Sequence, residues 1–457
     1  MKTIVQHAAL LRDGATTAAT LVEEALEHIA QPCGEGAHVF TKVYAEQARA
    51  AARASDILRG SGLVRSPLEG LPVSIKDLFD VAGETTLAGS CVLKGAAPAS
   101  DDAEVVRRLR AAGAIIIGRT NMTEFAYSGL GLNPHYGTPR NAWDRSSGRI
   151  PGGSSSGAAV SVTDGMAVAG IGSDTGGSVR IPAALCGLTG FKPTARRVPL
   201  RGVLPLSTYL DSVGPLAPSV ACCAVLDAVL AGAPLELPSA VGLRGLRLLV
   251  PTSVVLDEMD ATVAAAFRRA LSLLSAAGAS VQEASLPAFA QLAAINAKGG
   301  FTAAEAWGWH RDLIARAAGS YDPRVVSRIL RGRDMSAADL LDVLQARTAW
   351  IADVESCMEG FDALIMPTVP LVAPKIADLM ASDEAYFRAN GVLLRNPALI
   401  NFLDGCAVSI PCHVPGEPPV GLMIAGGAMQ DRRILAIGRA LEACLRSPVG
   451  GGVGPCG

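Results

Sequence analysis

Two serine-bearing stretches could supply a nucleophile, with Ser154 and Ser178 standing 24 positions apart in a chain of 457 residues. The first, Gly152-Gly153-Ser154-Ser155-Ser156-Gly157, matches G-x-S-x-G, the turn that presents the nucleophile of α/β-hydrolases. That turn must join an apolar strand to a helix. The residues ahead of it, RSSGRIPG, read as a loop instead. The second stretch, Ser173-Asp174-Thr175-Gly176-Gly177-Ser178, contains a D-T-G like that of aspartic proteases. Those enzymes need two aspartates sharing one proton, and this chain carries a single D-T-G.

The second stretch gains meaning from what precedes it. MAVAGIG is a strand-like apolar run, so the serine-bearing turn falls at the carboxyl end of a strand, where α/β enzymes place their chemistry. Gly176 and Gly177 let backbone amides converge without a Cβ in the way, as an oxyanion hole requires. Ser178 is therefore the candidate nucleophile. A serine needs a base, and none of His7, His28, His38, His135, His310 and His413 sits in a recognisable catalytic context. Lys76 ends the apolar strand-like LPVSIK. Burial there lowers the pKa of an amine and turns it into a base, and Ser-Lys pairs are a known variant of triad logic.

The elements that must position these residues alternate between helical and strand periods, an α/β pattern. The N-terminus reads as two short amphipathic helices, with Thr20 to Glu23 at capping-box spacing ahead of LVEEALEHIA. YAEQARAAARASDILRG reads as a long helix ending at Gly60. In LPVSIK, Val73 and Ile75 share one face, and Ser74 and Lys76 the other. DDAEVVRRLRAAG is a helix closed by Gly113, and AIIIG a buried strand. A more helical lobe spans about 220–350, with Asp260 capping the helix that runs to Gly278. FDALIMPTVPLVAP, CAVSIPC and GLMIAG read as strands before the final helix RRILAIGRALEACL. No low-complexity linker interrupts the chain, so one continuous core over 1–457 is expected.

Half the residues are apolar, 18% are charged and the formal net charge is −2. Such a chain has no extended field to attract nucleic acid or anionic lipid. The apolar runs fall far short of the roughly 20 residues that span a bilayer, and the N-terminus lacks the pattern of a signal peptide. Ten cysteines are scattered without a C-x-x-C pair. A reducing cytoplasm fits them, with Cys456 in the glycine-rich tail exposed.

Three motifs in one order, PVSIKD, GGSSSG and GSDTGGSVRIPAALCGLTGFKPT, resemble the amidase signature family. The likeness runs on to CAVSIPCHVPGEPPVGLMIAGG. The resemblance implies a mixed central sheet covered by helices on both sides, as one amidase domain. It implies Ser178 as the acylated nucleophile, Ser154 as a bridging serine beside a cis peptide, and Lys76 as the ultimate base. The amides of Thr175, Gly176, Gly177 and Ser178 resemble the family's oxyanion hole. Ser155 and Ser156 are expected to be structural hydrogen-bonders at a helix start, and Asp174 and Arg180 to hold the loop. The reaction implied is hydrolysis of a linear carboxamide to a carboxylate and ammonia or an amine, without metal or organic cofactor. The family also holds hydrolases of small ureido and carbamoyl compounds, and one component of a tRNA-dependent amidotransferase in which Arg347 would stand at the glutamine-binding position. Arg395 is a second candidate for a substrate carboxylate. A small-molecule amide is the expected ligand, and the family is compatible both with a homodimer and with a small partner subunit.

Overall fold

The computed structural model describes residues 1–446, so Cys456 lies outside the described residues. Its eleven strands are β1 (Phe40–Val43), β2 (Pro72–Lys76), β3 (Ile115–Thr120), β4 (Ala169–Asp174), β5 (Thr189–Lys192), β6 (Ser212–Ala217), β7 (Arg247–Pro251), β8 (Ser280–Ala284), β9 (Ala363–Pro367), β10 (Cys406–Pro411) and β11 (Gly421–Gly426). They form one mixed sheet in the order β1-β3-β2-β4-β6-β5-β10-β11-β9-β7-β8. β2 runs parallel to both β3 and β4, and β7 is parallel to β8 and β9. The remaining neighbours are antiparallel.

Both faces of the sheet are covered, and the two-residue period of a strand shows how. On β3, Ile116 joins one apolar cluster while Ile115 and Ile117 join another. On β11, Leu422 and Ile424 share the cluster of Ile116, whereas Met423 and Ala425 pack with Trp350 and Phe402. A strand buried on both sides reads as a continuous apolar run, which is why AIIIG and GLMIAG are legible.

The structure corrects two local expectations. The second helix spans Ala18–Ala30 and its cap is Thr17, whose side chain accepts from the Thr20 amide; Thr20 lies inside the first turn. The stretch 220–350 is dominated by helices, but it also carries β7 and β8, which extend the sheet at one edge. β8, SVQEA, is mostly exposed and lacks the apolar content that marks a strand. β5 and β6, TGFK and SVGPLA, are short or carry glycine and proline, so pairing with neighbours sets their state rather than propensity. The Asp260 cap is present, with its carboxylate accepting from the Thr262 amide. Among the described residues no helix is long and apolar enough to cross a membrane.

The serine segment feeds directly into a buried helix, Ser156–Thr163. Gly157 fixes where that helix docks. Its amide donates to the Asn121 carbonyl at 3.0 Å, and a Cβ there would stand 2.5 Å from the Val39 carbonyl oxygen and 2.8 Å from the Asn121 backbone. Both obstacles are backbone. Gly157→Ala is therefore expected to destabilise the fold by about 1–3 kcal/mol, the usual cost of overpacking. Urea unfolding of the variant measures this, and a midpoint equal to that of the parent would show that the docking is looser than the packing implies.

Candidate active site

β2 and β4 are adjacent and parallel, so their carboxyl ends place Lys76 beside Ser173. Lys76 is fully buried. Its Nζ lies 2.7 Å from Ser154 Oγ and 2.8 Å from Ser173 Oγ. The Gly153–Ser154 peptide is cis, the Ser154 carbonyl accepts from the Thr123 amide at 3.1 Å, and the Ser155 amide donates to the Ser178 carbonyl at 3.3 Å. The two serine segments are thus held side by side. Burial pulls the Lys76 pKa down to about 7 against the opposing attraction of Asp211 and Asp174.

The turn after β4 is organised by one carboxylate. Asp174 accepts from the amides of Gly177 (2.8 Å), Val179 (3.1 Å) and Arg180 (3.3 Å). It also accepts from Arg180 Nε (3.0 Å) and Nη2 (2.9 Å) and from Asn401 Nδ2 (2.9 Å). Burial by itself would raise its pKa, but the Arg180 cation and these hydrogen bonds hold it well below the usual carboxylate range. Gly177 takes φ +125°, and a Cβ there would meet Pro397 and Ile181. Only glycine fits this turn at that backbone angle.

Asp211 is the second buried carboxylate at the site. It receives the Thr175 hydroxyl at 2.5 Å and the Leu206 and Ser207 amides at 2.9 and 3.1 Å. Burial pushes its pKa up to about 6. Asp211 therefore ties the turn after β4 to the segment before β6.

A cavity of about 190 Å³ opens over Ser178, Thr175 and Gly176. Its wall is built from segments far apart in the chain: 126–128, Leu206 and Leu210, 292–302, Arg328, and Leu394 to Phe402. Ser178 lies at its floor, with the Ser154 segment and Lys76 buried beside it, and none of the six histidines lines it. Of the four residues expected to supply amide donors, Gly177 has its amide engaged by Asp174, whereas Thr175, Gly176 and Ser178 line the cavity. Ser155 and Ser156 are buried hydrogen-bonders, each donating at 3.4 Å to a backbone carbonyl, of Ser173 and Asn121 respectively. Ser155 precedes the helix without a side-chain cap bond.

Arg347 does not line the cavity. Its Nε donates to the Phe402 carbonyl at 2.8 Å, and its guanidinium lies 5.6 Å from the Phe301 ring centre and 5.7 Å from that of Phe402. It stands behind two rings that wall the site. Arg395 faces another groove and donates to the Asp257 carbonyl at 2.6 Å. Sequence reasoning gives no role to Ser173, Asp211, Asn401 or Arg328. For Ser173 a signal exists, its place at the strand end beside the lysine strand; the other three are remote in sequence and carry none.

The model of the family described as Amidase matches residues 21–435. The 2-amino-5-chloromuconic acid deaminase of Comamonas testosteroni is 35% identical, covering 97% of this chain and 96% of that one. The A subunit of the glutamyl-tRNA(Gln) amidotransferase from Chloroflexus aggregans is also 35% identical, over 95% and 94% of the two chains. A crystal structure of an amidase superposes with a TM-score of 0.87 at 34% identity, covering 97% and 99%. The chain belongs to the Amidase family, and its chemistry is the hydrolase chemistry of carbon–nitrogen bonds.

Removing the cation from the Asp174 cluster tests how the turn is held. Arg180→Gln leaves Asp174 as a buried charge with weakened compensation, so stability is expected to fall by about 3–5 kcal/mol. Chemical denaturation reads this out. A loss below about 1 kcal/mol, within the range of a surface ion pair, would mean that the amides and Asn401 suffice.

Proposed function

We propose that the protein hydrolyses a linear carboxamide through an acyl-enzyme on Ser178, releasing ammonia or an amine and then a carboxylate. Residues 1–457 act in this reading as one amidase domain on a small-molecule amide. The observation that supports it most is a fully buried amine 2.7 Å from Ser154 Oγ, next to the glycine-rich turn that carries Ser178. A pKa near 7 leaves a large neutral fraction at physiological pH, so Lys76 can accept a proton.

In the forward step Ser178 Oγ attacks the amide carbon while its proton passes to Ser154 Oγ and the Ser154 proton passes to Lys76 Nζ. The carbonyl oxygen becomes an oxyanion held by the amides of Thr175, Gly176 and Ser178, the Gly177 amide being committed to Asp174. Collapse of the tetrahedral intermediate returns the proton through Ser154 to the leaving nitrogen. Water then attacks the ester by the same relay, and the carboxylate leaves.

A second reading, an ammonia-supplying component of a larger assembly, draws on the likeness to the amidotransferase chain of Chloroflexus aggregans. The position of Arg347 behind Phe301 and Phe402 favours the self-sufficient hydrolase. Turnover of simple amides by the isolated chain separates the two, because the assembly reading requires a partner.

Two experiments test the mechanism. A serine-directed covalent inhibitor is expected to modify Ser178 alone, and Ser154→Ala to lower amide turnover roughly 10²–10⁴-fold while sparing matched esters, whose leaving groups need the relayed proton less. Mass mapping of the adduct to Ser154 or Ser155, or normal amide turnover in folded Ser154→Ala, overturns the assignment. The pH profile tests the base. Deprotonation of Lys76 makes it active, so kcat/KM is expected to rise with pH through an apparent midpoint near 7. Asp211 attracts the protonated form. Asp211→Asn therefore weakens proton binding at Lys76, and the midpoint is expected to move to lower pH. A midpoint that stays put or moves to higher pH removes this coupling.

A further inference from the structure

We infer that the amide substrate carries a carboxylate and that Arg328 receives it, an inference that rests on the hydrolase reading above and narrows its substrate class. The cavity over Ser178 is walled by Leu206, Leu210, Leu292, Phe301, Leu394 and Phe402, and Arg328 is the one charged side chain among its lining residues. An arginine facing such a space needs an anion or water to satisfy its donors.

Arg328 is held in place but left unneutralised. It sits on the helix Pro323–Leu330, which is capped by Asp322 through the Arg324 amide at 2.9 Å. The Asp322 amide donates in turn to the buried Glu124 carboxylate at 2.7 Å, just ahead of the cavity segment 126–128. The guanidinium lies over the Tyr127 ring, 4.3 Å from its centre, and Nη1 donates to the Tyr127 carbonyl. That bond and ring contact use one nitrogen and one face. Among the described residues no carboxylate pairs with Arg328, and its Nε and Nη2 have no protein acceptor. Neighbouring Arg324, by contrast, is paired with Asp383 at 2.8 Å.

A planar guanidinium with two adjacent free donors matches a carboxylate, which accepts them in parallel. The ring and the carbonyl fix the plane of the fork before any ligand arrives, so little side-chain entropy is lost on binding. The apolar lining of the cavity that Arg328 and Ser178 share suits a short methylene chain. A cavity of about 190 Å³ has room for a chain of a few carbons. The substrate class is then a short ω-carboxylated amide, with its carbonyl at Ser178 and its anion at Arg328.

The test compares succinamate, glutaramate and adipamate with butanamide, pentanamide and hexanamide, neutral amides of matching length. The parent protein is expected to favour the anionic member of at least one pair. In Arg328→Gln the anionic-to-neutral ratio of kcat/KM is expected to fall roughly 10²-fold, chiefly through KM, as for loss of a charge-assisted bidentate contact. Arg328→Lys, which keeps the charge without the fork, should lie between. A parent that prefers the neutral amides, or a variant that lowers both members equally, overturns the proposal and reduces Arg328 to a clamp on Tyr127. Calorimetric binding of the three anionic amides to Ser178→Ala, with and without Arg328→Gln, reads the anion site without chemistry. Binding that depends on Arg328 in the absence of any turnover by the parent sinks the hydrolase reading alone. Binding to none of the three, or binding indifferent to Arg328, sinks the anion site.

Discussion

A primary amine buried away from bulk solvent is the constraint on which the rest of the site depends. Water stabilises an ammonium ion far more than an amine, so removing it shifts Lys76 toward the neutral form. The same removal obliges the protein to supply hydrogen-bond partners, and Ser154 and Ser173 do so at 2.7 and 2.8 Å. Those partners come from two different segments, one a loop entering a helix and the other the end of β4. The parallel pairing of β2 and β4 brings Ser173 to that nitrogen, and backbone bonds to Thr123 and Ser178 hold the Ser154 segment beside it. The packing is close enough that a side chain on Gly172 would meet Ser155 Oγ at 2.6 Å. The sheet is thus built around Lys76 as much as it carries it.

Charge balance at the floor follows from that burial. Two carboxylates, Asp174 and Asp211, lie near the amine, and they are kept in different states by different neighbours. Asp174 faces Arg180 and stays ionised, whereas Asp211 has hydroxyl and amide donors but no cation bonded to it, and its affinity for protons rises to about 6. Asn401 completes the first cluster by bonding both members, donating to Asp174 and accepting from Arg180 Nη2 at 2.6 Å. It sits on the helix Asp383–Phe402, which also contributes Leu394, Ala398 and Phe402 to the cavity. One helix therefore braces the turn after β4 and shapes the space above it.

Chemistry and recognition are divided along the chain. The floor comes from residues 76–178, whereas most of the apolar wall comes from 206–302, 328 and 394–402. Such a division lets one reaction serve different substrates, because the wall can change without moving Lys76. The segment 124–128 bridges the two. Phe125 and Ala126 have positive φ, of 50° and 59°, and the buried Glu124 carboxylate anchors them through Ser90 and His135 at 2.7 and 2.8 Å. A sparsely populated backbone of this kind persists only where surrounding bonds enforce it.

What the sequence by itself determined is local. The alternation in PVSIK, the run AIIIG, the glycine pair before Ser178 and the cap at Asp260 each depend on neighbours within a few residues, and each is legible. The order of three motifs then links Lys76, Ser154 and Ser178 through a family likeness. Other features hang on contacts between remote segments. The strands β5, β6 and β8 exist because partners hydrogen-bond them, not because their residues favour extension. Arg347 occupies a motif position that suggests substrate contact, and the packing of two distant helices sets its place against the Phe301 and Phe402 rings. Asp211, Arg328 and Asn401 read as ordinary polar residues in the sequence. Their distances from Lys76 and Ser178 are set by how a sheet of eleven strands folds the chain, and separations of that kind leave no periodicity to read.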